Sequence, residues 1–305
     1  MSDFVRITDV SPRDGLQNEP VPISTERKLE LIGALVRTGV AEIELTSFVS
    51  PKWVPQLSDA AEVLERAAEM RSDSVCFSAL IPNEKGLERA LEIRDRTRCL
   101  DKIAVFTAAS ETFTQRNTNT SVDGTIDRFR PVVDMARQAG LMVRGYVSCA
   151  IACPFEGPIA PEAVVHVAAR LLALGVDEID LGDTIGAGTP DSIAHLIDTM
   201  FGRLGPCRQT DLDEPCLTLH LHDTLGHAAA CVRKALELGV RSFDSSAAGL
   251  GGCPYASTET SRAPGNIATD TLVRTIEEAG YNTGINHAAL ADATTIARAI
   301  VAEAH

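Results

Sequence analysis

Two histidines separated by one residue, His220 and His222 in Leu217-Thr-Leu219-His220-Leu221-His222-Asp223, are the residues of this chain best suited to metal chemistry. In an extended strand, residues i and i+2 share a face, so both imidazoles stand side by side while Leu219 and Leu221 turn the other way. Such a pair can close on one divalent ion, with a carboxylate supplying oxygen and positions left open for a substrate. Asp14, in Asp9-Val-Ser-Pro-Arg13-Asp14-Gly15-Leu-Gln17-Asn18-Glu19, is the carboxylate candidate. A mixed nitrogen and oxygen set without thiolate favours Mg2+ or Mn2+ over structural zinc, and leaves zinc open.

A second carboxylate comes from Glu42-Ile-Glu44-Leu-Thr46-Ser47. Period-2 alternation puts Glu42, Glu44 and Thr46 on one face, with Ile43 and Leu45 on the face that suits helices. A buried carboxylate without a partner is costly, so Glu44 should face a cation, and Arg13 is the candidate; a purely structural ion pair is the other reading. Glycines in Gly249-Leu-Gly251-Gly252-Cys253-Pro254-Tyr255 allow tight turns, and Cys253 at the tip could act as acid or base or stay an inert thiol. Cys149 and Cys153 lack the second pair that a zinc set needs and read as structural. His227 is expected in the helix after the His-x-His strand, also structural.

These residues need a scaffold that gathers them. Short β-branched runs alternate with segments of helical period along the chain, with strands expected near Phe4–Val10, Glu42–Thr46, Ser74–Leu80, Lys102–Thr107, Met142–Ser148, Glu178–Leu181, Leu217–His222 and Ser242–Ala247. Helices should start after Ser24, Ser58, Asn83, Ser121 and Asp191. An internal echo links Gly39-Val-Ala-Glu-Ile-Glu44-Leu, Gly175-Val-Asp-Glu-Ile-Asp180-Leu and Gly239-Val-Arg-Ser-Phe-Asp244-Ser. Repeated units of this kind predict an α/β fold, a (β/α)8 TIM barrel over about residues 4–280, with a C-terminal helical segment over about 286–305. An open doubly wound sheet is the alternative, disfavoured by the lack of a Gly-x-Gly-x-x-Gly turn after the first strand. No linker divides the chain, so residues 1–305 are expected to form a single catalytic domain. In such a barrel, chemistry sits at the C-terminal ends of the strands, where the residues singled out above fall.

The 305 residues carry 28 Lys+Arg against 42 Asp+Glu, a formal charge of −14. That balance, with no long basic block, argues against nucleic acid, and no apolar run is long enough to span a membrane. The N-terminus enters a strand-like alternation at once, without the pattern of a secretory or transit segment, so a cytoplasmic protein is expected. Eight scattered cysteines then read as buried thiols of a reducing compartment.

The motifs Ser11-Pro-Arg13-Asp14-Gly-Leu-Gln17-Asn-Glu19, Glu44-Leu-Thr-Ser47-Phe-Val-Ser-Pro-Lys52-Trp53-Val-Pro55-Gln56, Arg144-Gly-Tyr-Val-Ser-Cys149, Leu181-Gly-Asp183-Thr-Ile-Gly, His220-Leu-His222-Asp223-Thr and Gly249-Leu-Gly-Gly-Cys253-Pro-Tyr255 closely resemble the 3-hydroxy-3-methylglutaryl-CoA lyase family, in order and over nearly the whole chain. The resemblance implies retro-Claisen cleavage of that thioester, or of a close 3-alkyl homologue, to acetyl-CoA and acetoacetate or its homologue. It makes Asp14, His220, His222 and Asn266 ligands of a divalent metal ion. It makes Arg13 the holder of the thioester oxygen, Glu44 its positioning partner and Cys253 the loop acid or base. Gln17, Ser47, Asp183 and Thr184 would touch substrate, and Lys85 would lie near the CoA side. An acyl-CoA substrate and a homodimer are also implied. The stretch from Cys253 to Asn266 is longer than is usual in the family, which alters the lid and could admit a bulkier 3-substituent. Animal members carry a C-terminal cysteine, whereas this chain has none after Cys253. Competing readings are a Claisen-type acyl-CoA synthase of the same superfamily, which usually adds a regulatory domain, and a non-catalytic acyl-CoA or metal-binding homologue.

Overall fold

The computed structural model describes residues 3–205, 216–251 and 265–304. Its strands in chain order are β1 Arg6–Asp9, β2 Glu42–Ser47, β3 Cys76–Leu80, β4 Lys102–Ala108, β5 Met142–Ser148, β6 Ala152–Cys153, β7 Gly157–Pro158, β8 Glu178–Asp183, β9 Cys216–Leu221 and β10 Ser242–Ser245. All but β6 and β7 close into a parallel barrel in the ring order β1-β10-β9-β8-β5-β4-β3-β2. The expected TIM barrel is therefore what the chain adopts. β6 and β7 form a small antiparallel hairpin in the loop after β5.

The helices are α1 Thr25–Val36, α2 Ala60–Ala67, α3 Glu84–Thr97, α4 Glu111–Thr118, α5 Val122–Gln138, α6 Pro161–Leu174, α7 Pro190–Leu204, α8 Ala228–Glu237, α9 Thr269–Glu278 and α10 His287–Ala304. Ser24, Asn83 and Ser121 cap as expected, each side chain accepting the N–H of the third residue on. Two expected caps are displaced. Asp59, not Ser58, precedes α2, and Thr189 caps α7 in a reciprocal box with Ser192, leaving Asp191 within the first turn. His227 is exposed at the position before α8 rather than inside that helix. The loop after β4 holds α4, whose threonines and asparagines gave weak helical periodicity; Ser110 starts it by accepting the Phe113 N–H. The C-terminal helix α10 packs against both α9 and α1, with an Arg27–Glu303 ion pair fastening it to α1.

Ile7, Ile43, Phe77, Ile103, Val143, Ile179, Leu219 and Phe243 turn outward from the barrel into the apolar layer beneath the helices. The interior differs from the branched aliphatic filling common in such barrels. Arg144 and Lys102 lie fully buried among Glu42, Glu178, Asp180 and Asp244. Lys102 Nζ reaches Glu42 and Glu178 at 2.6 and 2.7 Å, and Arg144 Nη2 reaches Glu178 at 2.8 Å. Charges removed from water in this way are tolerable only because each finds an opposite partner or stays neutral. Asp180 lies beside Asp244 with Arg144 Nη1 3.5 Å away, and its carboxyl is pushed well up by burial and then by the charge of Asp244.

Candidate active site

The first site residues follow β1 directly. Ser11–Gly15 form one π-helical turn, in which the Gly15 N–H donates to Val10 O at 3.1 Å. This wider turn carries Arg13 and Asp14 over the barrel mouth. Arg13 Nε donates to Glu44 Oε2 at 2.5 Å and Nη1 to Asp14 Oδ1 at 2.7 Å, so the expected partnership of Arg13 with Glu44 is present. Burial pushes the Glu44 carboxyl up although Arg13 pulls it down. Asp14 is held low, at about 2, because the charges of Arg13, His220 and His222 outweigh its burial.

The alternation along β2 is broken by a bulge. Glu42, Ile43 and Glu44 pair with Cys76, Phe77 and Ser78, but Thr46 and Ser47 pair with Ala79 and Leu80, leaving Leu45 as the extra residue. Glu44 faces inward as expected. Beyond it Ser47, in register with the interior Leu80, takes the inward place that strict alternation assigned to Thr46. The Ser47 Oγ is buried and has no hydrogen-bond partner among the described residues, leaving a polar group available at the mouth.

On β9 and just beyond it, His220 and His222 share a face, with their Nε2 atoms 3.3 Å apart. His220 Nε2 lies 3.9 Å from Asp14 Oδ2, and one ligand atom from each of the three residues falls within 4.8 Å of the others. Asn266 reaches the same place through the backbone. Asp223 N–H donates to Gly265 O, Ile267 N–H donates to Leu221 O, and His222 bridges Asn266 across this short antiparallel pairing. The Asn266 amide donates to Asp14 Oδ2 at 2.8 Å and to Leu250 O at 2.9 Å. Its carbonyl oxygen, the atom a hard cation takes, lies outside these bonds. Gly251 makes the approach possible: a Cβ there would stand 2.6 Å from Asn266 Nδ2.

These residues suit a divalent ion. Two imidazole nitrogens facing each other beside a carboxylate make poor sense unless something positive lies between them. Burial and the charge of His220 push His222 down to about 4, so its imidazole is neutral, the form that binds metal. Burial also pulls His220 down, but its hydrogen bond to Asp244 and the charge of Asp14 prevail and raise it.

The remaining expected residues are more dispersed. Asp183 accepts the Ala187 and Gly188 N–H groups at 3.0 and 2.7 Å, shaping the loop after β8, and burial pushes it up to about 6. Thr184 Oγ1 accepts the Cys149 N–H at 2.7 Å, holding Cys149 in a left-handed conformation with φ 58°. Gln17 is half-buried behind the Arg13 turn, and Lys85 is exposed in the first turn of α3. Cys253 lies outside the described residues. Cys149 and Cys153 are buried, and Cys153 Sγ accepts the Ser110 hydroxyl at 3.1 Å. Burial pushes Cys76, Cys99 and Cys231 up to about 12, as inert thiols require.

Three residues were missed from sequence. Tyr146 on β5 donates from one hydroxyl to Glu44 Oε2 and Asp244 Oδ2, each at 3.3 Å. Arg144 lies beneath it, and Asp244 on β10 touches His220. The signal was present in the internal echo, which sets Glu44, Asp180 and Asp244 at matching positions of three strands. All three turn into the barrel and are buried.

Comparison with known proteins agrees with this geometry. A family model described as HMGL-like matches residues 4–296. A hydroxymethylglutaryl-CoA lyase of Pseudomonas mevalonii is 48% identical over 94% of this chain and 89% of its own length. The crystal structure of the HMG-CoA lyase from Brucella melitensis superposes with a TM-score of 0.87 at 42% identity, covering 97% of this chain and 98% of the other. An HMG-CoA lyase from Acinetobacter baumannii, solved in complex with coenzyme A and 3-methylmalate, superposes with a TM-score of 0.87 at 34% identity, covering 99% of this chain and 92% of its own. The chain belongs to the HMGL-like family.

Proposed function

We propose that this protein is a divalent-metal-dependent carbon–carbon lyase that cleaves 3-hydroxy-3-methylglutaryl-CoA, or a close 3-hydroxy-3-alkylglutaryl-CoA, to acetyl-CoA and acetoacetate or its homologue. The observation that carries the reading is the convergence of Asp14, His220 and His222 beside an arginine that Glu44 orients. The names of the relatives, and the coenzyme A bound in one of them, support it.

Asp14, His220 and His222, with Asn266 as fourth ligand, would hold the ion, Mg2+ or Mn2+. Bound there, it would supply Lewis acidity that lowers the pKa of the substrate's C3 hydroxyl. As that hydroxyl gives its proton to solvent water, the C2–C3 bond breaks, its electron pair moves toward the thioester oxygen, and C3 becomes the ketone of acetoacetate. Arg13 is built to meet the developing negative charge. Glu44 and Asp14 engage its Nε and Nη1, which leaves Nη2 to donate to the thioester oxygen. Because Glu44 and Tyr146 hold this donor in advance, little reorganisation is needed as the enolate forms. Protonation of C2 then completes acetyl-CoA, and Cys253, or a water it holds, is the acid we assign to that step.

Ser47, Gln17, Asp183 and Thr184 would line the acyl end of the pocket and Lys85 the CoA side. We place the enzyme in the cytoplasm as a homodimer of single-domain subunits; the free state of its described cysteines suits a reducing compartment. A coupled assay of acetyl-CoA release tests the reading. Turnover of 3-hydroxy-3-methylglutaryl-CoA with Mg2+ or Mn2+, abolished by a chelator, is expected. Preference for a longer 3-alkyl analogue would make the extended stretch before Asn266 a specificity element, and no turnover of either would sink the proposal.

A further inference from the structure

We infer that Asp244 is the positioning residue for His220: its carboxylate accepts the Nδ1 proton from behind and so turns the Nε2 lone pair toward the metal. The inference rests on the metal-site reading above. Asp244 Oδ2 lies 3.1 Å from His220 Nδ1. With Arg144 Nη1 donating to its Oδ1 at 3.0 Å, Asp244 is placed as an acceptor, and the proton between Asp244 and His220 belongs to the imidazole. Nε2, facing His222 Nε2 at 3.3 Å and Asp14 Oδ2 at 3.9 Å, is then the free ligand atom. No side chain stands behind His222 Nδ1 in the same way among the described residues. The two histidines are therefore unequal: among the described residues a carboxylate stands behind the His220 ring and none stands behind that of His222.

Asp244 can hold this role because it is itself held. Arg144 Nη1 donates to Asp244 Oδ1 at 3.0 Å, while Nη2 donates to Thr8 Oγ1 at 3.0 Å and Glu178 Oε1 at 2.8 Å. One guanidinium thus joins β1, β5, β8 and β10 across the barrel axis. The Tyr146 hydroxyl bridges Asp244 Oδ2 to Glu44 Oε2, so the carboxylate behind the metal ligand and the one behind Arg13 share a donor. Two of the three echoed carboxylates divide the work, Glu44 aiming the arginine and Asp244 the histidine, while Asp180 fills the space beside Asp244 without a hydrogen bond to either. Outer partners of metal-bound histidines fix ring orientation and tautomer, and their loss costs roughly 10- to 100-fold in metal affinity.

The test uses Mn2+ and Mg2+ alone, without substrate. In the Asp244→Ala and Asp244→Asn variants, Mn2+ affinity should fall by roughly 10- to 100-fold, Asn losing less because its amide oxygen can still accept from Nδ1. Asp180→Asn, in the same buried cluster, should stay within about threefold of the parent, since no hydrogen bond joins Asp180 to His220 among the described residues. Equal losses in Asp244→Asn and Asp180→Asn would overturn the inference. Removing Asp244 strips Arg144 of a partner and could prevent folding, so a second measurement uses the unaltered protein. In Mg2+-loaded, 15N-histidine-labelled protein, His220 should carry its proton on Nδ1, with that proton shifted downfield by the carboxylate. A proton on Nε2 would refute the inference. Neither readout depends on turnover, so a protein that binds Mn2+ with His220 in the expected tautomer yet cleaves no thioester would refute the lyase reading alone.

Discussion

Replacing Glu44 with glutamine removes the carboxylate charge opposite the arginine that is to stabilise the enolate and leaves the side chain's shape intact. In the native arrangement Arg13 Nε lies 2.5 Å from Glu44 Oε2. With charge centres about 4 Å apart and an effective dielectric near 20, such a pair is worth about 4 kcal/mol before desolvation is counted. Asp14 remains on Nη1 in the variant, and the glutamine oxygen can still accept from Nε, so a fraction of that energy is lost. What changes is how firmly Nη2 is aimed. Losing one well-placed donor to a developing oxyanion costs roughly 100- to 1000-fold in kcat, about 3 to 4 kcal/mol. Steady-state kinetics with saturating Mn2+ should show that fall in kcat with KM changed by no more than a few fold, since Glu44 is buried and acts through its bond to Arg13. Mn2+ stoichiometry and the far-ultraviolet circular dichroism should match the parent. A folded, metal-loaded Glu44→Gln protein with kcat within about threefold of the parent would show that Glu44 and Arg13 form only a structural pair.

His222→Ala should lose bound Mn2+ and turnover together, and retained metal with full activity would remove His222 from the ligand set. Gly251→Ala forces a Cβ to within 2.6 Å of Asn266 Nδ2 and 3.2 Å of Asp14 Oδ2, at a backbone φ of 94°. It should weaken Mn2+ binding at least about tenfold, and parent-like affinity in a titration would show that Asn266 and Asp14 can yield there. Asp9, pushed up to about 6 by burial, binds its proton more tightly folded than unfolded, so its contribution to stability is present at acid pH and lost as pH rises from about 4 to 6. Asp9→Asn should therefore gain stability relative to the parent over that window, by up to about 3 kcal/mol at pH 7.5 less the cost of weakened bonds to Ser11 and Thr269. Urea denaturation of both proteins at pH 4 and 7.5 measures this, and a difference that does not change with pH would refute it.

The barrel was legible because its strands are short and β-branched and its helices begin at side chains that cap. Where a cap moved, as from Asp191 to Thr189, neighbouring residues competed for one role and only the backbone decided between them, whereas α2 follows Asp59 with no side-chain cap. His-x-His was legible because strand geometry alone puts the rings on one face. Arg13 with Glu44 was legible from the cost of leaving a carboxylate unpaired. The place of Ser47 was not, because a bulge after Glu44 changes the face of every residue beyond it and leaves no mark in the pattern of polar and apolar residues. Asp244 and Arg144 escaped because a single inward acid or base on a strand looks the same whether it supports a ligand or fills the core. Only the repetition of Glu44, Asp180 and Asp244 at one position of three echoed strands hinted that the barrel interior is charged.

The most direct test of the lyase reading is to incubate the Mn2+-loaded protein with 3-hydroxy-3-methylglutaryl-CoA in D2O, remove the metal and identify the products by NMR. The account predicts acetyl-CoA and acetoacetate in equal amounts, with one deuterium in the acetyl methyl group, delivered to the enolate carbon after the C2–C3 bond breaks. Intact substrate would contradict it, as would consumption of acetyl-CoA in condensation when a 2-oxo acid is supplied in its place.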